Sequence, residues 1–349
     1  MKIIHLPNEG SLTDSSRMQM NSREAFAAIH KDGFIESLST FSFLVDYHEH
    51  LDASRTLDKI VALIKSEKPD LVFWQKLDGF PITDNMIRDI RAVKPGIKIA
   101  YHEGDPYGKF YKRFDRNIKC MLSHADYVFW CGIDSFLRMA KKYGARKFYY
   151  LPHNVDLSRF WNDWVPTQNR DFDLVMIANG IKSKLPFLSF PGSRRRYQCV
   201  KLLTENFGQR FAVYGCGWEK YLSSKGPVPF KEQTRVLQSA RISVNWDHFD
   251  KVGFYNSDRT VISLASGVPH ITTYHPGFEY MYRDVIGKGL YLAKSPGELV
   301  DIAVYLLSKP NAELIEEGQF AKKFAFDHYR SELVFKKAIT NIIENPLET

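Results

Sequence analysis

The feature that most constrains this chain is a rhythm. Short apolar runs alternate with amphipathic stretches of helical period, and the rhythm runs twice. In the first half MKIIHL, LVFWQ, IKIAYH, YVFWCG and KFYYLP read as strands. The stretches between them, SREAFAAIHKDG, SRTLDKIVALIKSEKPD, NMIRDIRAVKPG, RNIKCMLSHA and DSFLRMAKKYGA, read as helices, and SLSTFSFLVDY reads as a further strand. After a polar, aromatic break at RFWNDWVPTQNRD the pattern restarts. DLVMIA, RFAVYGCG, RISVNW, VPHITTY and GLYLA are strands, and helices begin at RRRYQCVKLL, EQTRVLQSA, DRTVISLASG and PGELVDIAVYLL. The tail from Ala312 to Asn345 reads as helical throughout. Alternation of this kind specifies βαβ units and parallel sheets.

At 349 residues the chain has room for two such domains. The expected fold is α/β, with two Rossmann-like doubly wound domains facing across a cleft. The boundaries are 1–156 for an N-terminal acceptor-side domain and 171–330 for a donor domain, with 331–349 as a helix packing back on the first. Ligands in doubly wound sheets lie beyond the carboxyl ends of the strands, so the residues after each strand are the candidates for function.

Composition excludes some classes. Hydrophobic residues are 44% and charged residues 25%, an ordinary globular balance, and no apolar run reaches the roughly 20 residues of a membrane helix. MKIIHLP turns polar at once and reads as a first buried strand, not a signal peptide, so a cytoplasmic location is expected. Cys120, Cys131, Cys199 and Cys216 are scattered without a CxxC pair, which names neither a disulfide framework nor a zinc site. The net charge of +8 suits a polyanionic partner.

Several stretches carry a resemblance in register: LPHNVDLSRF, GSRRRYQCVKLL, VYGCGW, NSDRTVISLASGVPHITTYHPGFEYMY and ELVDIAVYLLSKP. Together they resemble the GT-B glycosyltransferases, most closely the CgeB-like "glycosyl transferases group 1" branch, over about residues 65–345. The resemblance implies a nucleotide-diphosphate sugar donor, a UDP-sugar foremost. It also implies that helix N-termini and basic side chains hold the diphosphate without a metal. The candidates are Gly180 and Lys182 at the end of the donor domain's first strand, Arg195 in the Arg194–Arg196 cluster, and Asp258-Arg259 at a helix start. Val228 and Phe230 in GPVPFKEQ are expected at the nucleobase. The glutamate that in the family grips the donor ribose is absent, and Ile262 stands in its place. Either Asp258 or another group takes over, or ribose is held differently, or donor binding is lost. Asp171 and Asp173 mimic a metal-binding D-x-D but sit at the wrong end of a strand and read as structural.

In the first domain, HEGDPYGKFYKR follows a strand end. Inverting transfer needs a general base at the acceptor hydroxyl. Phage DNA β-glucosyltransferases are similar in placing an aspartate in the corresponding loop, which implies Asp105 as the base, with Glu103 and His102 as fallbacks. Asn8, Glu9 and Gly10 follow the first strand. Lys109, Lys112, Arg113, Arg116 and Lys119 form a basic face toward a polyanionic acceptor. The acceptor is a hydroxymethylated pyrimidine in DNA or a glycan. Two other readings stay open. One is a nucleotide-sugar epimerase or hydrolase built around Asp247-His248. The other is a non-catalytic DNA- or glycan-binding protein with a degenerate donor site.

Overall fold

Leu71–Gln75, Lys98–Glu103 and Tyr127–Trp130 carry β-branched or aromatic side chains and are buried almost from end to end. Strands of that kind belong in the middle of a parallel sheet covered by helices on both faces. In the computed structural model, which describes residues 1–12, 21–107, 112–167, 169–181 and 189–346, they are the third, fourth and fifth strands of such a sheet. The chain divides into two units, Met1–Pro152 with Ser331–Thr349, and His153–Arg330.

In the first unit β1 (Lys2–Leu6), β2 (Ser37–Thr40), β3 (Leu71–Gln75), β4 (Lys98–Glu103), β5 (Tyr127–Trp130) and β6 (Lys147–Tyr150) form one sheet in the order β2-β1-β3-β4-β5-β6. Every pairing is parallel. The helix Ser331–Glu344 completes one face: Phe335 packs 5.5 Å from Phe26 and 5.9 Å from Phe73, and Ile339 and Ile342 are buried beside it.

In the second unit β7 (Phe172–Ile177), β8 (Phe211–Tyr214), β9 (Ser224–Gly226), β10 (Ala240–Val244), β11 (His270–Thr273) and β12 (Leu290–Ala293) form a second parallel sheet, in the order β12-β11-β10-β7-β8-β9. The chain runs outward from β7 through β8 to β9, then crosses to β10 on the other side. The strand order therefore reverses between β7 and β10, and in the first unit it reverses between β1 and β3. Such switch points open a crevice at the carboxyl edge of the sheet, where ligands bind. The fold is GT-B: two Rossmann-like parallel-sheet units.

Three sequence expectations need correction. SLSTFSFLVDY is a strand only as far as Thr40, and Phe43–His50 is a helix. Phe43 sits edge-on to Trp74 and Phe80, at 5.3 and 5.4 Å, and buried Asp46 accepts from Thr56 at 2.7 Å. Those contacts override the β preference of the run. The tail is not helical throughout. Asn311–Tyr329 and Ser331–Glu344 are separate helices, broken at Arg330 (φ −61°, ψ 133°). There the backbone turns extended and pairs with Val155, whose N–H donates to Tyr329 O at 2.9 Å. The short edge strand β9 has no apolar run and was not expected. Among the described residues, no helix is long and apolar enough to cross a membrane.

Candidate functional site

The helix Ser193–Phe207 follows β7 and starts at the switch point of the second unit. Its buried stripe is Arg196, Cys199, Val200 and Leu203, the spacing of one helical face. Arg196 is therefore the member of the arginine cluster that faces inward, at 2% exposure. Its Nε donates to Trp246 O at 2.5 Å, and its Nη1 to Asn179 O at 3.1 Å and to His248 Nε2 at 2.6 Å. Arg195 lies off the stripe, about half exposed, and pairs with Asp250 at 2.6 Å. The sequence reading chose the neighbour of the residue that reaches the edge.

Arg259 comes to the same place from the helix Asp258–Ala265, which Ser257 caps by accepting the Arg259 N–H. Its Nε donates to Ile177 O at 3.1 Å. Arg196 and Arg259 are thus anchored on carbonyls two residues apart at the end of β7. Burial, and after it the Arg259 charge, pulls Arg196 below the ordinary guanidinium range, to about 9, still a cation at neutral pH. Among the described residues Arg196 makes no ion pair, and the partner of Arg259 is the adjacent, half-exposed Asp258 at 3.5 Å. Both guanidiniums are thus held mainly by neutral oxygens at the switch point, with the carboxylates of Asp258 and Asp247 beside them.

Arg259, Ile262 and Ser263 share one helical face. With Ile177, Gln233 and Asn245 they line a pocket of about 40 Å³. Ile262 is 5% exposed and forms an apolar wall where the family resemblance places a carboxylate. Asn245, immediately after β10, donates Nδ2 to Asp247 at 2.6 Å, and its buried Oδ1 has no partner among the described residues. Buried acceptors left open in this way are uncommon in folded proteins. The signal was in the sequence: Asn245 is the first polar residue after the RISV strand.

Asp247 and His248 lie beyond it, each already engaged. Asp247 accepts from His275 Nε2 at 3.0 Å as well as from Asn245; burial pushes it up, but the His275 bond and the Arg196 and Arg259 charges outweigh that and hold it well below the usual carboxylate range. His248 bonds Ser193 Oγ at 3.1 Å besides Arg196, and burial followed by the Arg196 charge lowers it to about 3. Gly180 serves the fold: its N–H donates to Cys216 O at 2.7 Å, and a Cβ there would fall 2.7 Å from Tyr197 Oη. Gly217 has φ +87°, and a Cβ on it would meet Gly180 O at 2.3 Å, so the loops after β7 and β8 cross where neither can carry a side chain. Lys182 lies outside the described residues. Val228 is half-buried. Phe230 packs edge-on to Phe160 at 5.7 Å and beneath Arg159. Asp173, at the opposite end of β7, pairs with Arg210 at 2.5 Å and Arg241 at 3.8 Å.

The carboxyl edge of the first unit is built from acids. Glu9 follows β1, is fully buried, and takes two 2.7 Å bonds from Arg23 and one from Ser42. Asn8 donates its N–H to Gln75 Oε1 at 3.2 Å, and Gln75 Nε2 lies 3.2 Å from His102 Nδ1, which ties His102 into the same network. Glu103 is fully buried and accepts from Tyr101 Oη at 2.7 Å, Tyr107 Oη at 3.2 Å and the Asp105 N–H at 3.0 Å. Burial, and then the Asp105 charge, raises it to about 7. Asp105 is 31% exposed and sits between Lys76, at 2.7 Å, and Lys112. Burial pushes it up, but the two lysines outweigh that and hold it at about 2. Lys76, which the sequence reading missed, comes from the end of β3. Lys112, Arg113, Arg116 and Lys119 are exposed; Lys112 also covers the Tyr107 ring and Lys119 the Tyr143 ring. Lys109 lies outside the described residues.

Residues 194–333, less than half of the chain, match the family described as glycosyl transferase-like. No curated protein matches in sequence. Among solved structures, the sucrose-phosphate synthase of Thermosynechococcus elongatus superposes with a TM-score of 0.60 at 12% identity, over 99% of this chain and 98% of that one. HepE from Anabaena, in complex with UDP-glucose, superposes with a TM-score of 0.58 at 11% identity, over 99% of this chain and all of that one. A UDP-N-acetylglucosamine 2-epimerase from Listeria monocytogenes, so described provisionally, gives 0.53 at 13% identity over 98% and 95%. Identities this low establish the shared fold.

Proposed function

We propose that the protein is a glycosyltransferase that moves a sugar from a nucleotide-diphosphate donor, a UDP-sugar, to a hydroxyl acceptor. The observation that carries this reading is the pair Arg196 and Arg259, two guanidiniums held by neutral carbonyls at the switch point of the second unit. A diphosphate is the ligand that such a pair accommodates, since charge-assisted bonds to a dianion are the strongest a site of this kind can form. The match of residues 194–333 to a glycosyl transferase-like family supports it, as does the fold shared with a protein bound to UDP-glucose.

In this reading the guanidiniums take the charge that grows on the departing nucleoside diphosphate, with no metal needed there. The acceptor oxygen bonds to the anomeric carbon as the bond from that carbon to phosphate breaks, and the hydroxyl proton leaves to a base. Asp105 is the carboxylate of its cluster that an acceptor can reach, and it must give up a lysine to take the proton. The pocket walled by Ile262 takes the ribose, and the open Asn245 Oδ1 accepts one of its hydroxyls in place of the missing glutamate. The exposed Arg113 and Arg116 favour an anionic acceptor, DNA or a charged glycan.

The test is a thermal-shift panel of UDP, GDP, CDP, dTDP and their sugars. UDP should stabilise the wild type, and Arg259→Ala should weaken that binding ten- to a hundredfold while leaving the unliganded melting temperature within about 2 °C. Asp105→Asn should keep UDP binding and lose turnover. No shift with any nucleotide would favour a non-catalytic binding protein. Conversion of UDP-sugar without an acceptor would favour the epimerase or hydrolase.

A further inference from the structure

Away from both carboxyl-edge clusters, three unlike metal-ligating side chains meet in the first unit. Cys120 and His124 stand one helical turn apart on Arg116–His124, and Asp84 opens the neighbouring helix Asp84–Val93. One ligand atom from each lies within 4.8 Å of the others. Cys120 Sγ is 3.6 Å from Asp84 Oδ1, and His124 Nε2 is 2.8 Å from the same oxygen.

We infer that Asp84, Cys120 and His124 form a binding site for a zinc-class divalent ion that staples these two helices. The donor set is one thiol, one imidazole and one carboxylate, the ligands zinc takes at about 2.0–2.3 Å. Tetrahedral coordination with those bond lengths puts sulfur and oxygen about 3.5 Å apart and nitrogen and oxygen about 3.3 Å apart. The sulfur–oxygen edge is already of that length, and the nitrogen–oxygen edge needs to open by about half an ångström. Cys120 is 9% exposed, His124 partly exposed and Asp84 mostly exposed. The soft ligand is therefore inside, and a fourth position opens to water. A hydrogen-bonded clasp accounts for His124 and Asp84, but it uses the Cys120 thiol only as a weak donor to Asp84 Oδ1 at 3.6 Å, whereas in a metal site the thiolate is the strongest ligand. The helices are also tied by Arg91, in the last turn of its helix, which donates to the carbonyl of His124 itself at 2.9 Å and pairs with Asp126 at 3.0 Å. The ion adds a second fastening to an existing one. The scattered cysteine spacing hid the site because its ligands come from two helices.

The experiment titrates Co²⁺, then Zn²⁺, into the metal-stripped full-length chain. One Co²⁺ should bind with a thiolate charge-transfer absorption, Zn²⁺ should displace it, and Zn²⁺ should raise the melting temperature. Cys120→Ser should abolish the absorption, and Asp84→Asn should weaken binding by about tenfold or more. His124→Gln, a partly exposed substitution that leaves the core intact, should do the same with unchanged circular dichroism, and it carries the test if the cysteine variant fails to fold. No thiolate band in the wild type would overturn the inference. So would a band that survives Cys120→Ser and disappears with the exposed Cys216→Ser, because the ion would then be held by an adventitious thiol.

Discussion

The two units share an architecture and differ in how they spend charge at the same topological place. In the first, every carboxylate at the strand ends is answered by the chain's own groups: Glu9 by Arg23, Asp105 by Lys76 and Lys112, Glu103 by two tyrosines. In the second, the arginines are held mainly by carbonyl oxygens, with Asp258 pairing Arg259 at 3.5 Å, and an amide oxygen in the adjoining pocket has no partner among the described residues. A self-neutralised edge suits an uncharged hydroxyl, and an edge whose guanidiniums are fixed mainly by neutral oxygens suits a phosphate. The same fold thus acquires unlike chemistry from which side chains follow its strands.

The comparison can be broken most sharply by deleting residues 331–349. The first unit then loses Phe335, Ile339 and Ile342 from its core and should unfold, while the UDP binding proposed for the second unit should stay within about twofold of the full chain; limited proteolysis with binding of UDP to the resistant fragment reads both. Next in size is Arg196→Ala. It leaves the Trp246 and Asn179 carbonyls unsatisfied and should cost about 2–4 kcal/mol in denaturant titration. It should weaken UDP binding more than a hundredfold, and Arg196→Lys should not rescue it, because one ammonium cannot span both carbonyls.

Protonation sharpens the contrast further. The folded-state pKa of Glu103, near 7, lies above its unfolded value, so folding takes up a proton between about pH 4.5 and 7. That stabilisation is complete at low pH and is lost as pH rises through 7. Glu103→Gln, which cannot titrate, should therefore compare worst with wild type near pH 5. It should recover by up to about 3 kcal/mol by pH 8, read from denaturation midpoints at the two pH values. His248 in the second unit runs the other way. Lowered to about 3, its contribution is full above pH 6.5 and fades as pH falls toward 3. The smallest effect on UDP affinity is expected of Arg195→Ala, below about threefold, since Arg195 is half exposed and its guanidinium is taken up by Asp250.

Much of the sheet architecture was legible because buried parallel strands are written as unbroken apolar runs. The helix at Phe43–His50 was not, because a Phe-rich run reads as strand until Trp74 and Phe80 supply its partners. Arg196 could have been found: it is in step with Cys199, Val200 and Leu203, and Arg195 is not. Lys76 could not, since nothing local announces that the end of β3 will meet the loop after β4. Ile262 was legible as an apolar residue where the family resemblance expects a carboxylate, and it lines the pocket near Arg259, whereas the open oxygen of Asn245 shows only once its amide is seen bonded to Asp247.

The break at Arg330 has a consequence for how the molecule is made. The second unit is one continuous segment, His153–Arg330, whereas the first is assembled from both sides of it. During synthesis the second unit can close around its core while residues 1–152 still wait for the segment that brings Phe335. The part synthesised first is therefore the last to mature. Until then the bare Phe26–Phe73 surface is what a chaperone would meet on the nascent chain.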